Sequence, residues 1–202
     1  MAEGYQVPAE VIRTEINIKK SRFVTTALLA ATVTDARERI ADLRAQSPRA
    51  NHHVYAFRIG FGNSITEGMS DDGEPSGTAG PPTLAVVRGS GIGDILLVTA
   101  RYFGGSKLGT GGLVRAYTAS AQMAIAELKT ELKVEKRTLG MDMPYSFYDL
   151  VQRLIAAHQG TIVDEVFAEE ILVIANFVES DAARFAIELR ERSAGRVSPV
   201  SL

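Results

Sequence analysis

The chain has 202 residues, 46% of them hydrophobic and 23% charged, with a net charge of −2. That is enough apolar material for two small cores, and it excludes a uniformly basic surface, so any contact with nucleic acid must come from a local patch. Cysteine is absent, which excludes disulfides, thiol catalysis and thiolate metal sites and fits a reducing, cytoplasmic setting.

In chain order, TEINIKKSRFVTTALL reads as two strands broken near Lys19 to Ser21. Thr34 is the expected N-cap of a helix through DARERIADLRAQ, with Pro48 beyond its end. HVYAFRIGF alternates, placing Tyr55, Phe57 and Ile59 on one face and Val54, Ala56 and Arg58 on the other. SITEGM reads as a further short strand, and SDDGEPSG as a loop. Pro81 and Pro82 suit the first turn of a helix running to about Arg88. DILLVTARYF is a buried strand, and an alanine-rich helix is expected over 110–132. Beyond it, the order strand, helix, strand, strand, helix, strand gives βαββαβ over 136–202, the split ferredoxin-like arrangement. The expected class is therefore α+β, with domains at 1–135 and 136–202. No run of about 18 apolar residues is present. The opening MAEGYQVPAEV lacks the basic and apolar regions of a secretory signal, so neither membrane nor export is expected.

Glycine is concentrated: 14 of the 18 glycines lie between Gly60 and Gly112. Since glycine is entropically costly to order, such a cluster marks tight turns or a surface where a ligand meets backbone. The richest stretch is RYFGGSKLGTGGLVR, 101–115. Arg101 stands at the carboxyl end of its strand, and Gly104 and Gly105 allow a sharp turn. Thr110, after Gly109, is the expected N-cap, which leaves the amides of Gly111, Gly112 and Leu113 free at the helix start. With Lys107 and Arg115 nearby, three cations would surround one anion-binding turn. Residue order excludes a P-loop, because no Lys-Ser or Lys-Thr pair follows the last glycine. It also excludes the dinucleotide fingerprint, because Val114 stands where its last glycine belongs. A structural turn whose cations pair with nearby acids is the competing reading.

Glu67, Asp71, Asp72 and Glu74 place four carboxylates close together. They can hold a hard cation such as magnesium, pair with Arg101 and Lys107, or form a solvated turn. Ser76, Gly77 and Thr78 are expected to begin a helix and so to offer a second amide cluster. His52 and His53 point to opposite faces of their strand; His52 shares its face with Arg58 and is expected in the same groove as Arg101. His158 ends a helix, where a positive charge suits the dipole. No nucleophile elbow, metal-binding helix motif or triad spacing occurs, so no catalytic residue and no cofactor are expected.

SDDGEPSGTAG (70–80), GSGIGDILLVTARYFGG (89–105) and KLGTGGLVRAY (107–117) resemble the signature of the YigZ/IMPACT family. HHVYAFRIG (52–60) is similar to a fourth block, with Val54 where many members have cysteine. The resemblance is strong over roughly 16–130 and looser in the bacterial-type second domain. It implies a first domain like that of a small-subunit ribosomal protein and of domain IV of elongation factor G. It implies a ferredoxin-like second domain like the last domain of that factor. Eukaryotic relatives regulate translation through a partner that a bacterial-type chain lacks, and the family transfers no established catalytic residues. The leading expectation is a non-catalytic translation regulator that binds RNA or the ribosome through the basic turn. It would use Arg101, Gly104, Gly105, Lys107, Gly109, Thr110, Gly111, Gly112 and Arg115, with His52, Arg58, Asp71, Asp72 and Glu74 as groove partners. A docking module for translation-related proteins and a magnesium-dependent phosphate- or nucleotide-binding enzyme stand as alternatives.

Overall fold

The alternation read from the strands sets the layers of the first of two units in the computed structural model, which describes residues 4–62, 64–134 and 136–202. That unit, Tyr5–Lys133, and a second, Val134–Leu202 together with Gly4, each make their contacts chiefly within themselves. The first contains a five-stranded sheet in the order β2-β3-β6-β4-β5, from β2 (Ile12–Ile18), β3 (Ser21–Leu29), β4 (His52–Ile59), β5 (Thr66–Ser70) and β6 (Ile95–Tyr102). Every neighbouring pair is antiparallel. Lys19 and Lys20, both with positive φ (44° and 68°), make the two-residue β2–β3 turn. Such a hairpin needs left-handed backbone there, and lysine adopts it less readily than glycine or asparagine.

Leu96 and Val98 of β6 meet Ala36 and Ile40 of α1 (Val33–Gln46) on one face of the sheet. Ile95 and Leu97 meet α2 (Gly80–Ser90) and α3 (Thr110–Glu127) on the other. Ala116, Ala121 and Ala124 of α3 are fully buried, and their small side chains bring its backbone close to the sheet. The hydroxyls of Thr25, Thr99 and Ser120 join strands and helix in a buried chain of hydrogen bonds at 2.8 and 2.6 Å.

Three local expectations need correction. The cap of α1 is Thr32, not Thr34; its hydroxyl accepts from the Asp35 amide at 3.0 Å, the reach a cap needs. The alanine-rich helix ends at Glu127 rather than near Leu132. The residues that follow form β7 (Thr130–Val134), which pairs with β1 (Gly4–Pro8) in a two-stranded sheet absent from the sequence reading.

Asp94, just before β6, ties this small sheet to the large one. Its carboxylate accepts from Tyr5 Oη at 2.9 Å, the Gly60 amide at 2.8 Å and Lys133 Nζ at 2.5 Å. Burial alone would raise its pKa, but Lys133, the Gly60 amide and Tyr5 together hold it below the usual carboxylate range. A depressed folded pKa adds stability above the unfolded value that is lost as pH falls through the folded one. Asp94→Asn is therefore expected to cost about 1–3 kcal/mol at neutral pH. The gap to wild type should narrow on acidification between about pH 5 and pH 3, as read from urea unfolding. A gap independent of pH would contradict this role.

The second unit has the expected βαββαβ order: β8 (Lys136–Met143), α4 (Tyr148–Ala157), β9 (Thr161–Phe167), β10 (Ile171–Val178), α5 (Glu179–Arg192) and β11 (Val200–Ser201). Its antiparallel sheet runs β11-β8-β10-β9. Ile171, Val173, Ala175 and Phe177 of β10 are buried in the core shared with α4 and α5, where Phe177 stacks on Phe185 at 4.4 Å. His158 follows α4 and meets Glu188 of α5 at 2.8 Å. Among the described residues, no helix is long and apolar enough to cross a membrane.

Candidate functional site

The end of β6, the turn after it and the start of α3 form one side of a groove of about 480 Å³, and the acidic loop with the start of β4 forms the other. The turn is shaped by packing as much as by any ligand. A Cβ built at Gly104 would fall 1.7 Å from the Lys20 carbonyl oxygen, so this glycine is where the turn presses on the β2–β3 hairpin. Gly105 and Gly109 carry positive φ (87° and 73°), which favours glycine on backbone grounds. Gly111 differs: a Cβ there would meet only the Arg115 guanidinium, at 3.8 Å.

Helix α3 begins without a side-chain cap, because Gly109 rather than Thr110 occupies the N-cap position, and its first turn holds no acidic residue. The Leu113 amide, expected to be free, donates to the Gly109 carbonyl at 2.9 Å. The open donors are thus Thr110, Gly111 and Gly112, which have no intrahelical partner. Lys107 and Arg115 are exposed beside them. Lys107 lines the groove with Thr110, and the Arg115 guanidinium lies beside Gly111, at a helix start whose dipole favours negative charge.

Arg101 is not a third free cation. Its side chain is 6% exposed and donates to Glu74 Oε1 at 2.6 Å, itself on a side chain 3% exposed. Tyr117 Oη donates to the same oxygen at 2.8 Å; burial first, and then Glu74, push the Tyr117 phenol far above its usual pKa. The Arg101 Nε has no partner among the described residues, although the side chain lines the groove. His52 Nδ1 lies 2.7 Å from the Asp72 carbonyl, which only accepts, so Nδ1 carries a proton; Nε2 stands 3.9 Å from Glu74 Oε1.

The acids divide their work. Asp71 turns away from the groove and accepts from the amides of Gly77, Ala79 and Gly80 at 2.9, 2.9 and 2.8 Å. It thereby fills the amides leading into α2, which begins at Gly80; Ser76, Gly77 and Thr78, expected to start that helix, form the turn before it. Burial opposes its ionisation, but those three amides hold its pKa low. Asp72 joins Arg44 of α1 at 2.6 Å and the His53 amide at 2.6 Å, and these contacts outweigh burial and lower its pKa. Glu67 pairs with Arg88 at 2.6 Å. Arg58, expected in the groove, stands towards the other end of β4 with Glu67 and the Arg88 carbonyl. Among the described residues, no group of three histidine, aspartate or glutamate side chains converges as a metal site would require.

Two groove residues went unremarked in the sequence. Phe103 is 46% exposed at the groove, and its amide donates to Asn51 Oδ1 at 2.8 Å. The Asn51 amide in turn donates to the Arg101 carbonyl at 2.8 Å. An exposed phenylalanine inside a glycine-rich motif is the signal that was available.

Residues 19–125 match the family model described as the Impact N-terminal domain, and residues 141–196 match a domain of unknown function (DUF1949). The chain is 41% identical over 198 residues to a Haemophilus influenzae protein named "IMPACT family member", covering 98% of this chain and 96% of that one. It is 33% identical over 201 residues to "IMPACT family member YigZ" of Escherichia coli, covering 99% and 98%. A solved structure described as "an hypothetical protein" superposes with a TM-score of 0.76 at 33% identity, covering 100% of this chain and 98% of that one. Block motifs, full-length relatives and a shared fold agree, and the chain belongs to the IMPACT family.

Proposed function

We propose that the protein is a non-catalytic factor acting in translation that binds RNA by a backbone phosphate at the start of α3. One observation carries this reading: the uncapped first turn of α3, which holds no acid, meets at Thr110 a groove that Lys107 also lines, and the exposed Arg115 stands beside Gly111 in the same turn. Gly111 adds support, since neither its surroundings nor its φ forbids a side chain there, while a side chain would stand in a ligand's way. The translational setting is taken from the family resemblance and the cytoplasmic location from the absence of cysteine.

Phosphate contacts of this kind fix position rather than sequence, and their strength falls with salt. Titrating labelled RNA at several salt concentrations is expected to give a slope of log K against log salt of about −1.4, as two phosphate neutralisations on a single strand would. Replacing Lys107 and Arg115 together by glutamine should remove most of that slope. Absence of binding at low salt, or binding indifferent to the double replacement, would refute the reading. Arg101 should be left intact, because its charge is bound up with Glu74 and the fold.

A further inference from the structure

Resting on that phosphate reading, we infer that the groove takes an unpaired nucleotide of single-stranded RNA, its phosphate on the first turn of α3 and its base against Phe103. Four observations converge. The groove's volume, about 480 Å³, lies within the range of small-ligand sites and suits one nucleotide rather than a duplex. Its lining pairs a polar end, Lys107 and Thr110, with an apolar wall, Phe103, Leu108 and Leu113, as a nucleotide pairs phosphate with base.

Phe103 is also placed as a platform. The residue is 46% exposed, while its backbone is tied to Asn51 and through Asn51 to the end of β6. A fixed, exposed aromatic face beside a cationic groove is how proteins hold unpaired bases, because every base offers a face to stack. The Arg101 guanidinium lies 5.7 Å from the ring centroid, so the ring is backed by a buried cation rather than by loose solvent. Finally, Asn51 uses Oδ1 on Phe103, and its side-chain Nδ2 and His52 Nε2 are left to meet a base edge. In a duplex the bases are stacked on each other and cannot reach such a ring.

The chain has no tryptophan, so Phe103→Trp installs a single reporter at the platform. A short single-stranded oligoadenylate is expected to quench it, and the same strand annealed to oligouridylate is not. Phe103→Ala should weaken oligoadenylate binding by roughly tenfold or more while leaving inorganic phosphate binding, and the melting temperature of so exposed a site, unchanged. Equal binding of single strand and duplex, together with no effect of Phe103→Ala, would overturn this inference and leave the phosphate reading standing. Failure of the wild-type chain to bind either inorganic phosphate or oligoadenylate would overturn both. Adenosine monophosphate binding as tightly as the oligomer would put a free nucleotide in the groove and overturn the assignment to RNA.

Discussion

Glu74→Ala is expected to lower stability by about 3–5 kcal/mol. The carboxylate is the partner of Arg101 at 2.6 Å, and both side chains are buried. Removing it strands a guanidinium in the interior and also takes the acceptor from Tyr117 Oη. The cost is the loss of compensation for a buried charge, so it should fall when the charge goes too. The double replacement Glu74→Leu with Arg101→Met is expected to recover most of the loss. Urea unfolding of wild type, Glu74→Leu, Arg101→Met and the double variant forms a cycle. A loss below about 1 kcal/mol for Glu74→Ala, a value typical of exposed pairs, would show that this pair is not the buried anchor described.

Gly104→Ala is expected to cost about 3 kcal/mol, at the upper end of overpacking, because its Cβ would fall 1.7 Å from a backbone oxygen that cannot swing aside. Gly111→Ala should do the reverse. The site is open and helical, so alanine is expected to add up to about 1 kcal/mol of stability while its methyl hinders a phosphate at the first turn. The two glycines lie in one motif, yet one serves packing and the other access. Thermal or urea unfolding of the two variants checks this; equal destabilisation would merge the two roles.

Much of the fold was legible because its signals are local. The alternation in HHVYAFRI places Val54 and Ala56 against one helical layer and Phe57 against the other, and the six elements of the second unit follow from their own periodicity. What was illegible depends on partners distant in sequence. β7 is a strand because β1, more than a hundred residues earlier, pairs with it. The same holds at the site. Spacing brought Arg101, Lys107 and Arg115 near one helix start. It could not show that Glu74, 27 residues before Arg101, takes that arginine out of play. Nor could it show that Asp71 fills the amide cluster of α2 while the cluster of α3 is left open. The contrast between two helix starts, one capped by the chain's own carboxylate and one not, emerges only from the folded chain.

That open helix start is the central claim, and amide NMR of the full chain titrated with inorganic phosphate tests it most directly. The account predicts saturable shifts concentrated at the amides of Thr110, Gly111 and Gly112, weakened when Lys107 and Arg115 are neutralised, with the Asp71-bound amides of Gly77, Ala79 and Gly80 unmoved. Shifts absent from α3, or appearing first at the start of α2, would contradict it.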